Sequence, residues 1–593
     1  MNDIFWPAMT MRLVFAAILA STVGYVQAQS SAAPDNIRRD AERSRLLQQE
    51  RERALRQQQE RATDVHLQAP AEHGLAQSFP TGEMPCVAIT RVTFGDELGT
   101  ELSQHFGFAL QNALENGSTA ETSAGGLCLG TQGVNIVLKR VQNALFGAGY
   151  ITTRVMLAPQ NLHHGVLVLS LIPGRVRQIR FAPDADIRAT QWNAVPRHAY
   201  GLLNLRDIEQ AMENFKRVPT ADADIRIEPG IATDASPGDS DLVISYQQAF
   251  PFRLTTGFDD GGSVNTGKYQ SNLTLSYDNW WTLNDLFYVS ANHDLGGSKT
   301  GDHGSSGYTV HYSLPFAYWN LGATLSSSRY QQEVAGYRQS YCYRGTSDNT
   351  EIKLSRLMYR DTVNKTTVIL KGLLRSSANY IDDTEILAQR RRTTAWELAL
   401  QHRTSIGNAT LHATLAYRRG IGAFGAMPAP EEKFGEGDAR FQIIITDLNL
   451  QLPFHLQMPW GKQSLRYQSD IRAQRNNTAL TPQDRFAIGG RYTVRGFDGE
   501  LILAAERGLL VRNELGIALG TSDQELYLGV DYGEVDGPTA DLLLGRRLMG
   551  AVIGLRGGWR ALSWDIFAGT PLLRPDNFRT AAVAAGFNLL WSF

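Results

Sequence analysis
From about residue 252 to the end of the chain, apolar and polar positions alternate with a period of two. In NLTLSYDNWW, Leu273, Leu275 and Tyr277 fall on one face and Thr274, Ser276 and Asp278 on the other. In YTVHYSLP, Tyr308, Val310, Tyr312 and Leu314 oppose Thr309, His311 and Ser313; in NLGATLSSSR, Leu321, Ala323 and Leu325 oppose Gly322, Thr324 and Ser326. That period belongs to β-strands with one apolar face. A soluble sandwich alternates in the same way. About 340 residues of strand with no helical period suit a closed transmembrane barrel better.

Strands are expected near 252, 268, 284, 306, 316, 350, 364, 393, 410, 439, 464, 508, 525, 545, 559 and 580. Sixteen is an even number, so both barrel ends lie on the side of the preceding segments. Turns after even strands are short, such as 361–365 and 521–524. Connections after odd strands are longer: 331–349, 421–438 and 475–507. Short turns on one side and long loops on the other are the asymmetry of outer-membrane barrels. Trp280, Trp281, Trp319, Trp460, Trp559 and Trp591 all fall beside the short turns or at the chain end. Indole prefers the membrane interface, where its ring is apolar and its N–H is wet.

Upstream the period changes. Residues 84–174 read as strand, helix, helix, strand, strand, and residues 175–250 repeat that order, which is a tandem repeat of a small α+β unit. Ahead of them, 63–83 is a linker punctuated by Pro70, Gly74, Pro80 and Gly82. Residues 34–62 are rich in helix formers but carry only Ile37, Leu46, Leu47 and Leu55 as large apolar residues. Without an apolar stripe such a helix cannot dock firmly on a hydrophobic core. It reads as a solvated helical arm, although a helix lying in a water-filled channel would need the same composition. At the start, Arg12 precedes LVFAAILASTVGYV, with small residues at positions 26 and 28. A membrane anchor is one reading; the shortness of the run suits a signal peptide over 1–28, cleaved to leave a chain starting near Gln29.

Composition adds exclusions. The 57 basic and 59 acidic residues nearly cancel, which argues against a general nucleic-acid binder. Of three cysteines, Cys86 and Cys128 bracket one compact segment that an oxidising compartment would join. A loop of that size is worth about 4 kcal/mol on the chain-entropy model. Cys342 is left as a free thiol, and His163-His164 reads as a solvated loop pair. No CxxC, HExxH or phosphate-binding loop occurs, so no catalytic residue, metal site or cofactor is expected.

The whole expected mature chain resembles the two-partner secretion transporters, the haemolysin secretion/activation and filamentous-haemagglutinin transporter family of Gram-negative outer membranes. PCVAITRV and GGLCLG resemble the first POTRA domain with its paired cysteines, and LNLRDIEQAMENFKRVPTADADIRIEPG resembles the second. VRGF at 494–497 and LGVDYG at 528–533 resemble two signature motifs of the barrel superfamily. The resemblance implies a mainly β protein: a 16-stranded antiparallel transmembrane barrel over 251–593, a polar plug helix over 29–62, and POTRA domains over 84–174 and 175–250.

The implied function is export of one large partner exoprotein, such as a haemolysin, adhesin or contact-dependent toxin, from periplasm to cell surface, and in some members its activation. The POTRA domains bind the partner's N-terminal secretion domain, and no ATP is consumed. The other expected contacts are outer-membrane lipid and, during biogenesis, the barrel-assembly machinery. A barrel-assembly insertase and a plain diffusion pore are the alternatives. The first resembles chains with more POTRA copies and no plug helix, and the second needs no POTRA tandem.

The resemblance also names site residues. Period two turns Asp531 into the lumen, with Gly529 and Gly533 leaving room and Tyr532 on the lipid face. A lumen aspartate can simply be wetted. In the family, the long loop folds back and the arginine of its tip pairs with this aspartate. Carried over, Arg495, flanked by Val494, Gly496 and Phe497, pairs with Asp531. The terminal face of Phe587, Leu589, Trp591 and Phe593 resembles the assembly signal of outer-membrane barrels, carried by Trp591 and Phe593; Phe593 also reads as an interface anchor, and the two readings are compatible. For partner capture, an open sheet edge accepts an added strand; strand 241–247 and the neighbouring helix 205–217 are the place to look, with the choice of open edge left to the structure.

Overall fold
The computed structural model describes residues 33–593 except 61–62, 68–78, 81, 112, 115–126, 163, 231–234, 298–300, 336–338, 460 and 521–522. The signal peptide expected over 1–28, His163 and Trp460 lie outside the described residues.

Sixteen antiparallel strands close into one barrel. They are β1 (Phe252–Asp259), β2 (Gln270–Asp278), β3 (Leu286–Asp294), β4 (Gly304–Phe316), β5 (Trp319–Ala335), β6 (Ser340–Arg360), β7 (Asn364–Ile381) and β8 (Arg391–Ile406). The second half comprises β9 (Ala409–Ile421), β10 (Gln442–Met458), β11 (Gly461–Asn476), β12 (Arg507–Ala518), β13 (Glu525–Asp536), β14 (Arg547–Trp559), β15 (Leu562–Leu573) and β16 (Ala584–Ser592). Alternation sorts the faces as expected. Leu273, Leu275, Leu321, Leu325, Leu528 and Val530 are exposed, while Thr274, Ser276, Asp278, Thr324 and Asp531 are buried inward.

The seam is short. β16 and β1 pair from Asn588↔Asp259 to Ser592↔Thr255. Phe593 extends the ladder, its N–H donating to the Leu254 carbonyl at 2.8 Å and its carbonyl accepting from the Leu254 N–H at 2.9 Å. Trp591 and Phe593 stack, exposed, 6.0 Å apart.

One expected loop is not a loop. Residues 331–335 and 340–349 continue the β5–β6 ladder, with Gln331↔Arg344 through Ala335↔Ser340 in register. β5 has 17 residues and β6 has 21. A tilted membrane strand needs only about 9–11 residues, so this hairpin projects beyond the bilayer. Its polar residues kept the alternation while losing the apolar face, and so resembled a loop.

The first α+β unit differs in detail from its expected order. A strand at Leu127–Leu129 pairs with Val87–Ile89, placing Cys128 opposite Ala88. Cys86 and Cys128 are disulfide-bonded. The main sheet has Val166–Ile172 in the centre, flanked by Arg91–Phe94 and Arg154–Met156. The helix Thr131–Gly147 packs Val137, Val141 and Leu145 onto it. Glu83, at the end of the linker, caps that helix by accepting from the N–H groups of Gly130 (2.9 Å), Gln132 (2.5 Å) and Gly133 (3.1 Å). Desolvation raises its pKa, but these three donors outweigh it and hold the carboxyl below the usual range.

The second unit settles which of its strands are edges. Asp239–Gln248 is the central strand, parallel to Arg175–Phe181 and antiparallel to Ala221–Pro229. Both of its edges are occupied. The helix Leu205–Phe215 is buried along its whole length. One side packs on its own sheet through Ile208, Ala211 and Phe215. The other meets the barrel: Asn214 Nδ2 donates to the Ala317 carbonyl at 2.9 Å, and Tyr318 Oη donates to Asp207. Burial pushes the Asp207 carboxyl up despite that bond. The outer side of this helix is therefore covered by the barrel rim.

Candidate functional site
The lumen is occupied from two directions. The first occupant is the helix α1 (Ala33–Gln59). At 1.5 Å per residue it is about 40 Å long, enough to run through the barrel. Ion pairs hold it to the wall: Arg51 to Asp259 on β1 (2.7 Å), Arg53 to Asp447 on β10 (2.9 Å), Glu50 to Arg472 on β11 (2.7 Å) and Arg56 to Glu351 on β6 (2.8 Å). Its N-terminal half reaches the long loop, where Glu42 faces Arg485 at 3.3 Å and Arg43 donates to the Glu500 carbonyl. The composition that read as a solvated arm is that of a helix lining a polar channel. Among the described residues, Leu46 is its one large apolar side chain that is buried.

Polar space remains beside α1. A cavity of about 620 Å³ is lined by Arg53, Asp447, Arg472, Arg491 and Arg512; another of about 650 Å³ is lined by Glu52, Arg56, Glu351, Glu397 and Arg418.

The second occupant is the loop between β11 and β12. Phe486–Ile488 and Leu503–Ala505 pair as a small hairpin within it, and its tip is 489–502. Arg495 grips Asp531 three times. Its backbone N–H donates to Oδ2 at 2.9 Å, Nε to Oδ2 at 2.7 Å and Nη2 to Oδ1 at 2.8 Å. Nη1 donates to Glu514 on β12 at 2.5 Å. Asp531 is 0% exposed and Arg495 6%. A planar fork against a carboxylate is the geometry that suits arginine and not lysine. The network continues through Glu514, Arg556, Glu525 and Arg466.

Glycines let the tip lie flat on the wall. A Cβ at Gly529 would sit 2.7 Å from Arg495 Nη2, and one at Gly533 2.7 Å from Val494. Sequence reasoning named these two and missed Gly550, whose Cβ would lie 1.9 Å from the Arg495 carbonyl, and Gly569, 2.8 Å from Gly496. It also missed Glu514. The strand run LMGAVIGL held the signal for Gly550, because period two puts Gly550 on the lumen face opposite Asp531. Gly496 has φ +100°, a conformation that suits glycine. Val494 and Phe497 are buried in a small apolar cluster with Phe486, Leu503, Leu548 and Phe578; Phe497 meets Phe578 edge-on at 5.7 Å. Tyr532 points to the outer face, where its hydroxyl donates to Glu534 at 2.6 Å.

A third contact joins the channel to the soluble part. The segment 63–67, leaving α1, runs between the helix Leu205–Phe215 and the β6–β7 turn. The Val65 N–H donates to Glu213 at 3.1 Å and the Leu67 N–H to Glu209 at 2.8 Å. Arg360 donates to Glu209 at 2.8 Å, to Glu213 at 2.9 Å and to the Val65 carbonyl, and Lys365 adds a 2.5 Å contact to Glu213. Arg360's side chain is 2% exposed. Truncating one member of a buried charge cluster costs about 3–5 kcal/mol. Arg360→Ala is therefore expected to free segment 63–67 while leaving the barrel closed; limited proteolysis cuts that segment in the variant and not in the wild type.

A polar-lumened barrel, filled by a helix and an inward loop and carrying two periplasmic α+β units, defines an outer-membrane transporter. The family model "Haemolysin secretion/activation protein ShlB/FhaC/HecB" matches residues 238–557, and POTRA models match 114–174 and 175–229. The chain belongs to that family of haemolysin secretion/activation proteins. It is 36% identical over 474 residues to the outer membrane transporter CdiB-2 of Burkholderia pseudomallei strain 1026b, covering 79% of each chain. It is 24% identical to the hemolysin transporter protein HpmB of Proteus mirabilis, covering 69% of this chain and 71% of that one. The structure of CdiB from Acinetobacter baumannii superposes with a TM-score of 0.79 at 28% identity, covering 93% of this chain and 99% of that one. The protein is a two-partner secretion transporter of the outer membrane, with its POTRA domains in the periplasm.

Proposed function
We propose that the cargo is one large exoprotein of the contact-dependent toxin kind, captured in the periplasm by its N-terminal secretion domain. The carrying observation is the 36% identity to CdiB-2 along 79% of both chains, against 24% to the haemolysin transporter. For capture the structure favours the edge strand Ala221–Pro229 over the central strand. Its outer edge makes no strand pairing among the described residues. An extended cargo segment can add there by main-chain hydrogen bonds. Asp222, Asp224 and Arg226 are exposed along it, the charges by which free edges avoid casual pairing.

In this reading α1 is the plug that leaves to admit cargo. Arg495 and Asp531 hold the loop to the wall while cargo passes, and Trp591 with Phe593 is read by the barrel-assembly machinery. The test is binding of secretion-domain fragments to the full-length transporter. A toxin-type fragment is expected to bind, and Ile225→Pro, which alters the edge strand, is expected to weaken it at least severalfold. Equal binding by haemolysin-type fragments would remove the cargo assignment, and unchanged binding by the proline variant would remove the edge assignment.

A further inference from the structure
The second POTRA domain carries a cluster of large apolar side chains that its own core does not use. Ile187 is 98% exposed, Trp192 62% and Tyr200 53%. Trp192 and Tyr200 are drawn together, because Gln191 Nε2 donates to Tyr200 Oη at 2.8 Å, and Ile187 stands next to Arg188 at the start of the same segment.

This region is stapled to the barrel rim at the β2–β3 and β4–β5 turns, beside outward-facing aromatic residues. Arg188 donates to the Asn279 carbonyl at 2.6 Å and stands 5.7 Å from the centroid of the Tyr277 ring. Asn193 donates to the Leu283 and Pro315 carbonyls at 2.5 and 3.2 Å, and its own carbonyl accepts from the Ala317 N–H at 2.7 Å. Asn284 donates to the Thr190 carbonyl at 2.9 Å. Trp192 packs against Phe316, with ring centroids 5.8 Å apart. Phe316 and Tyr277 share the outward face of their strands with Leu314 and Leu275. The turn held by Arg188 carries the exposed Trp280 and Trp281. The patch therefore continues the aromatic band of the barrel onto the soluble domain.

We propose that this patch of the second POTRA domain is a lipid-binding surface. Ile187 and Trp192 insert at the boundary of acyl chains and headgroups in the periplasmic leaflet, and Tyr200 and the exposed Arg197 lie at headgroup level. Tryptophan, tyrosine and arginine beside an aliphatic residue are the composition of an interfacial anchor. The membrane is favoured over cargo as the occupant because the apolar surface is continuous with the lipid-facing surface of the barrel. Seated this way, the domain takes its orientation from the bilayer as well as from the β2–β3 and β4–β5 turns.

The test uses full-length protein in phospholipid bilayers, with Cys342 replaced by serine. A fluorophore is attached at Ile187→Cys, at Trp192→Cys or at the exposed control Lys139→Cys on the first POTRA domain. A nitroxide-bearing phospholipid is expected to quench the first two labels severalfold more than the third. A second, conservative variant needs no label: Trp192→Phe is expected to reduce the share of tryptophan emission that brominated phospholipid quenches. Quenching at 187 and 192 no greater than at 139, or an unchanged lipid-quenched share in Trp192→Phe, overturns the proposal. Labels untouched by lipid but shielded by a cargo secretion domain overturn it too, and give the patch to cargo.

Discussion
Arg495→Ala is expected to abolish secretion while the barrel still inserts in the outer membrane. Asp531 accepts three hydrogen bonds from Arg495 and is fully buried. Arg512 is its only other cationic neighbour among the described residues, at 3.9 Å, beyond hydrogen-bonding reach. Removing the guanidinium takes away two of these three hydrogen bonds and the bonded charge, leaving the buried carboxylate the residue-495 N–H and the more distant Arg512, a loss of about 3–5 kcal/mol. Even 3 kcal/mol is roughly a hundredfold in an equilibrium, enough to turn a docked loop into a mostly undocked one. The closed β-ladder does not depend on this pair, so heat-modifiable mobility on a gel is expected to be kept. Arg495→Lys is expected to fail as well, because one ammonium cannot span both Asp531 oxygens and Glu514. Asp531→Asn keeps the shape and leaves Arg495 its Glu514 partner, so an intermediate secretion level is expected. Wild-type secretion from the alanine variant would remove the loop from the mechanism.

Deleting residues 34–62 is expected to raise ion conductance severalfold while the barrel stays inserted. A helix with its side chains is about 10–12 Å across, and α1 lines two polar cavities of about 620 and 650 Å³. Its removal merges them into one passage lined by Glu351, Glu397, Asp447, Arg418 and Arg472. Each wall charge that loses an α1 partner faces water, where exposed pairs are worth only about 0–1 kcal/mol. The barrel therefore loses little stability. Planar-bilayer recordings check this, and a conductance equal to wild type would show that α1 is not the barrier.

The parts legible in the sequence were those governed by local periodicity. Period two fixed which of Leu528, Val530 and Asp531 faced lipid and which faced the lumen, because a strand alternates whatever surrounds it. The parts not legible depend on partners far apart in the chain. Arg360 meets Glu209 and Glu213 about 150 positions away, and no local pattern marks such a meeting. For the same reason the central place of Asp239–Gln248 was hidden: strand order in a sheet is set by parallel pairing with Arg175–Phe181, while each strand alone reads alike. The pair Arg495 and Asp531 lay between these cases. Periodicity turned Asp531 inward, the family resemblance supplied its partner, and the structure brings the two side chains together.

Surface delivery of the partner exoprotein, compared in cells carrying and lacking this protein, tests the central claim most directly. Delivery is expected only when the transporter is present, with the other outer-membrane proteins at unchanged levels. Unchanged delivery in its absence, or a general loss of outer-membrane proteins, would contradict it.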